Sequence, residues 1–109
     1  MGMNPTREDY EHAARAAGIT GDWVDGYGFR IQCPIYGFRF WSPYCSSSDA
    51  FRLMTACGLS VKCKSNSVQV CVPHGNWMTF FHNDDNPEEV ARHAIFWAAV
   101  TVGKQMKEV

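Results

Sequence analysis

Two stretches of this chain repeat their apolar residues at helical spacing, and much of the sequence between and after them alternates with a period of two. Tyr10, Ala13, Ala14 and Ala17, and again Ala50, Leu53, Met54 and Cys57, follow the i, i+3, i+4, i+7 order that gives a helix one buried stripe. Gly18 and Gly58 come directly after these stripes, where a helix stop favours glycine. Helix starts are marked by a capping side chain three residues before a carboxylate: Thr6 before Asp9, Ser46 before Asp49 and Asn86 before Glu89. Pro87 strengthens the third start, because its missing N–H costs nothing at the first helical position. That third helix, residues 87–106, is apolar around most of its circumference. Ala91, Ala94, Ile95, Ala98 and Val102 lie on one side, and Val90, Trp97 and Val100 on another. It is expected to be the most buried helix, or to offer a second face to a partner, which would explain a homodimer.

Strand signals fill the remainder. Phe29, Ile31 and Cys33 alternate with Arg30 and Gln32, residues 34–37 turn, and Phe38 and Phe40 flank Arg39, which reads as an antiparallel hairpin. Val61 and Cys63 alternate with Lys62 and Lys64, then Val68, Val70 and Val72 follow a turn, and a second turn leads into Trp77–Phe81. The order α-β-β-α-β-β-β-α predicts one α+β domain over residues 1–109, with a mostly antiparallel sheet of four to five strands, three helices and no internal repeat. Residues 1–5 read as a flexible or added lead-in ahead of the fold. Arg30, Arg39, Lys62 and Lys64 all oppose the apolar set on their strands, so one solvated, basic sheet face is expected. Trp77–Phe81, apolar on both faces, reads as a central covered strand.

Composition narrows the function classes. The chain has 109 residues, enough for one core, with 46% hydrophobic and 14% aromatic content. A formal charge of -1 supplies no global field for nucleic acid or anionic membrane. Five cysteines form an odd set with no C-x-x-C pair, which suits reduced thiols in a cytoplasmic setting. The longest strongly apolar run, residues 95–102, is too short for a membrane span, and no signal peptide is expected.

The order of short motifs adds a resemblance. "AARAAGI" on the first helix, an aromatic strand ending "FWSP", then "DAFRLMTACGLSV" and a final "NPEEVARHAIFWAAV" resemble the phage ABA-sandwich domain family, small phage and prophage proteins that include NinX-like members. Trp41, Ser42 and Pro43, Asp49 and Ala50, Leu53, Gly58 and Leu59, and Asn86 and Pro87 stand at the matching points. Ser42 departs from the family's usual Asn, and residues 45–48 replace an Asp-rich loop. The resemblance implies a three-layer α/β/α sandwich and a phage accessory origin, and it brings no catalytic activity with it.

Candidate chemistry is sparse. Ser46, Ser47, Ser48 and the N–H groups behind them could hold an anion at a positive helix end. Capping is the stronger reading there, because no glycine lies between Gly37 and Gly58 and Asp49 would repel an anion. Cys71 and His74 have C-x-x-H spacing, but only Cys63 and His82 could supply a second pair. Residues 82–86 offer oxygen ligands without EF-hand spacing, and Cys45 has no base paired to it by motif. No paired carboxylates, triad order or phosphate-binding glycine set appears, so no catalytic residue, metal or cofactor is assigned. The expected binding set is Arg30, Arg39, Trp41, Tyr44, Ser47, Ser48, Arg52, Lys62, Lys64, His74 and Trp77, aromatics beside cations suited to anchoring a partner. The expectation is non-catalytic binding in a host cytoplasm, against a host protein complex in the manner of an anti-CRISPR or other anti-defence protein. Sequestration of a small molecule or a small nucleotide ligand, or weak nucleic-acid contact through the basic face, are the alternatives.

Overall fold

A computed structural model of the chain describes residues 5–33, 35, 37–73, 75–81 and 86–107. His74, residues 82–85 and the turn residues Pro34 and Tyr36 lie outside the described residues. The elements are α1 (Arg7–Ala17), β1 (Gly21–Val24), β2 (Gly28–Cys33), β3 (Gly37–Trp41), α2 (Ser47–Cys57), β4 (Ser60–Cys63), β5 (Ser67–Cys71), β6 (Trp77–Phe81) and α3 (Pro87–Lys107). The domain is α+β, with two antiparallel three-stranded sheets in the orders β1-β2-β3 and β4-β5-β6. Among the described residues it carries six strands in two sheets where one sheet of four or five was expected. The additional strand, β1, has only Trp23 and Val24 as apolar residues, too few for an alternating pattern to register.

The helices begin and end where local chemistry directs. Thr6 and Asp9 form a reciprocal capping box, Ser46 accepts from the Asp49 N–H, and Asn86 Oδ1 accepts from the N–H groups of Glu88 and Glu89. Gly18 and Gly58 both take the left-handed conformation, with φ of 71° and 67°. Beyond them, the Ile19 N–H donates to the Ala14 carbonyl and the Leu59 N–H to that of Met54, closing each helix in the same way.

That symmetry extends through the chain, which reads as α-β-β-β twice, followed by α3. The caps Thr6 and Ser46, and the stops Gly18 and Gly58, are each 40 residues apart. The β4–β5 connection is one residue shorter than that of β1–β2: Trp23 pairs with Phe29, Cys63 with Val68. Equivalent positions therefore slip from 40 to 39 residues apart, and Phe29 matches Val68 while Trp41 matches Phe80. The expectation of no internal repeat is corrected at the level of topology.

Register also corrects the sheet faces. Phe29 pairs with Trp41, Ile31 with Arg39 and Arg30 with Phe40, so Arg39 shares the inner face with Ile31 and Trp41. Phe38 and Phe40 turn outward and are exposed. β3 holds aromatic residues in both registers, and burial of Trp41 settles which one faces the core. No single basic face forms, because Arg30 and Arg39 lie on opposite faces of one sheet and Lys62 belongs to the other. β6 is an edge strand with Trp77 and Phe81 open to solvent, contrary to the covered central strand expected.

The core is built around α3, which packs against α1, α2, β5 and β6. Ala94, Phe96, Ala98 and Ala99 are fully buried, with Val100 nearly so. Ala94, Ile95, Ala98 and Val100 are buried within one chain, and Val90, Ala91, Trp97 and Val102 are partly buried against the same core. α1 approaches α3 so closely that a Cβ on Gly103 would run into the His12 carbonyl. Gly103→Ala should therefore destabilise by about 1–3 kcal/mol through overpacking, read as a lower melting temperature, whereas Lys104→Ala, exposed one residue on, should leave it nearly unchanged.

Cys57 is buried, and burial pushes its thiol up from 9.0 to about 11. A folded-state value above the unfolded one favours folding below about pH 9, and the contribution is lost as pH rises through about 11. The stability advantage of the wild type over Cys57→Ala should shrink between those limits in urea titrations. At pH 8, iodoacetamide should modify exposed Cys45 and Cys63 well before Cys57.

Candidate functional site

The corner joining β3 to α2 is organised by one buried carboxylate. Asp49 accepts from Arg39 Nη2 at 2.8 Å, Arg39 Nη1 at 3.3 Å and the Ser42 N–H at 3.0 Å. Arg39 Nη1 also donates to the Phe40 carbonyl at 3.3 Å. The Asp49 side chain is 5% exposed and that of Arg39 33%, so the pair is sheltered more on the acid's side. Hydrogen bonding to Asp49 raises the Arg39 pKa above its ordinary value, against an opposing effect of burial. An incoming anion would meet this carboxylate, and the geometry at the helix start is that of a strand-to-helix cap. Arg39 is thus an internal tie. Trp41 is likewise a core residue, 5.7 Å from the Phe29 ring and 6.4 Å from that of Tyr10, and not a surface platform.

The starts of α2 and α3 are cross-linked. Ser47 Oγ donates to Glu88 Oε2 at 2.9 Å and accepts from Arg92 Nη1 at 3.2 Å. Tyr44 stacks on His93 with ring centroids 3.8 Å apart and packs edge-on against Phe96 and Trp97. Burial raises the Tyr44 hydroxyl pKa, the nearby Cys45 and Glu89 add to the shift, and a hydrogen bond with Trp97 opposes it. Ser48 and Arg52 are exposed on α2.

Two solvent-facing sheet surfaces carry the remaining candidates. On the outer face of the first sheet, Arg30 pairs with Asp22 at 2.9 Å and lies 5.0 Å from the Phe38 ring centroid. Phe40 is next to it in register, and Tyr27 stacks on Phe40 with centroids 6.0 Å apart. Tyr27, Phe38 and Phe40 are 75%, 53% and 42% exposed, large values for aromatics grouped on one surface. On the outer face of the second sheet, Lys62 Nζ lies 4.5 Å from the Trp77 ring, and Gln69 donates to Thr79. Phe81 is exposed on the same face, and Lys64 is exposed just past β4.

The expected set is thus divided among the α2 corner, the two helix starts and two separate sheet faces. Of its members, His74 is outside the described residues, and with it the Cys71 and His74 pair. Among the described residues, no three His, Cys, Asp or Glu side chains gather as a metal ion would need, and no helix is long and apolar enough to cross a membrane. Tyr27, Phe38 and Phe40 were not among the expected binding residues. Their signal was a Phe-x-Phe pattern beside Arg39, which also suits a core face, and a tyrosine next to the turn glycine Gly26.

Asp49→Asn keeps the side-chain size but removes the charge opposite Arg39. It should cost about 3 kcal/mol, the low end for breaking a buried pair, since Arg39 retains access to water. Glu88→Gln, on an exposed contact, should change stability by less than about 1 kcal/mol in the same denaturant titration. No family model matches the chain, and no curated protein or solved structure matches it either.

Proposed function

We propose that the protein acts by stoichiometric, non-catalytic binding of a protein partner through the outer face of its first sheet. The observation that carries this proposal is the group of Tyr27, Phe38 and Phe40 around Arg30. Aromatic rings and a guanidinium are the side chains that most often dominate protein interfaces, the rings because they bring large contact area at low conformational cost and the guanidinium because it both stacks and hydrogen-bonds. Contacts within the group hold its members in place before any partner arrives. Arg30 already has an ionic partner in Asp22, so the face favours an apolar patch with a polar rim over a highly charged surface.

The resemblance to phage ABA-sandwich proteins supports a more specific version: a phage accessory protein in the host cytoplasm, bound to a host complex as an anti-defence inhibitor of the anti-CRISPR kind. The layered α/β/α arrangement belongs to this proposal. Two alternatives have less support. With Arg39 turned inward against Asp49, the cations of the strands form no continuous row for a phosphate backbone. With residues 94–100 of α3 packed mostly into its own chain, a nucleotide site at a dimer interface built from that helix would have to use the partly buried Val90, Ala91 and Val102 and the exposed Met106.

The test compares the wild type with the double substitution Phe38→Ala and Phe40→Ala in affinity capture from lysate of the bacterial host. Both side chains are exposed, so the variant should keep its fold by circular dichroism. A complex retained in equal molar ratio by the wild type and lost by the variant supports the proposal. Retention of the same complex by both, or of none by either, contradicts it.

A further inference from the structure

A cleft of about 510 Å³ opens between α2 and the inner side of the first hairpin. That volume falls within the roughly 300–1,000 Å³ of small-molecule sites. Ile19, Ile31 and Ile35 form most of its apolar lining, with the small exposed part of Trp41, and Arg39 and Arg52 supply polar side chains. A mostly apolar wall with a few convergent polar side chains is the composition of such sites. The cleft lies on the opposite side of the sheet from the Tyr27, Phe38 and Phe40 group, since Arg39 and Ile31 share the inner face.

We infer that this cleft binds a small organic anion of single negative charge with a flat apolar body. The charge follows from the state of the two arginines. The Arg39 charge is balanced by Asp49, and three of its hydrogen bonds go to Asp49 and the Phe40 carbonyl. A guanidinium has five N–H donors, so two have no acceptor among the described residues, on a group already held rigid. Its donors therefore orient a ligand without adding net charge and without the entropy loss of ordering a free side chain. Arg52 makes no side-chain hydrogen bond or ion pair among the described residues, and it supplies the one uncompensated cation. A carboxylate or sulfonate matches one cation, whereas the several charges of a nucleoside triphosphate exceed what the cleft balances. The apolar body is set by Ile19, Ile31 and Ile35, which would cover an aromatic or short aliphatic group. This site is independent of the protein-binding face proposed above.

The test uses 2-naphthoate as the probe and its neutral counterpart, 2-naphthamide, with the intact chain. Calorimetry should show 2-naphthoate binding with a Kd at or below about 1 mM and at least tenfold more tightly than the amide. Amide NMR shifts should concentrate at Ile19, Ile31, Gln32 and Arg52. Arg52→Gln, on an exposed helix position, should weaken naphthoate binding at least tenfold while leaving the melting temperature and the amide affinity unchanged. Equal affinity for the two probes, absence of naphthoate binding at several times that concentration, unchanged binding by Arg52→Gln, or shifts centred elsewhere would each overturn the inference.

Discussion

Close approach of α1 to α3 is the constraint on which the rest of the molecule is arranged. Gly103 allows the His12 carbonyl to sit where a side chain would otherwise stand, and Ala13, Ala14, Ala94, Ala98 and Ala99 keep the helical core residues small. Small residues let helix axes come together, and the dispersion contacts so gained depend on distance. Larger side chains then fill the space towards the first sheet. Tyr10 touches Phe96 at 5.0 Å and Trp23 at 5.7 Å between centroids, and Phe29 and Trp41 continue the cluster. On the other side, Val68 and Val70 of β5 are buried where the second sheet meets α3. One helix is thus the shared wall of two similar α-β-β-β units.

Such an arrangement determines where a partner or ligand has access. The middle of α3 is buried, Trp41 and much of Tyr44 are packed inward, and Arg39 is tied to Asp49. Chemistry open to solvent is left on the outer sheet faces and in the cleft beside α2. The tie between Arg39 and Asp49 also links the two units, since one residue belongs to β3 and the other to the first turn of α2.

Helices were legible in the sequence because their determinants are local: a cap, a carboxylate three residues on, a stripe and a left-handed glycine all fall within one segment. The strands were legible as strands, but not in their facing. Phe38, Arg39, Phe40 and Trp41 offer aromatics to both sides, and the burial of Trp41 against Phe29 and Tyr10, with Arg39 held by Asp49 ten residues further along, rests on contacts that only folding brings together. Division into two sheets is also nonlocal, and the shorter second turn shifts the alignment that would reveal two matching units. For the same reason the candidate set is divided among separate parts of the fold. Arg39, Trp41 and Tyr44 look like surface anchors until their core and helix contacts are known, whereas Phe38 and Phe40 look like core.

Hydrogen exchange followed amide by amide tests the central role of α3 most directly. Amides of residues 94–100 should exchange only through global unfolding, and so show the highest protection in the chain, with a free energy equal to that from denaturant unfolding. Exchange in this segment faster than in β5, or through local opening well below the global free energy, would contradict the account.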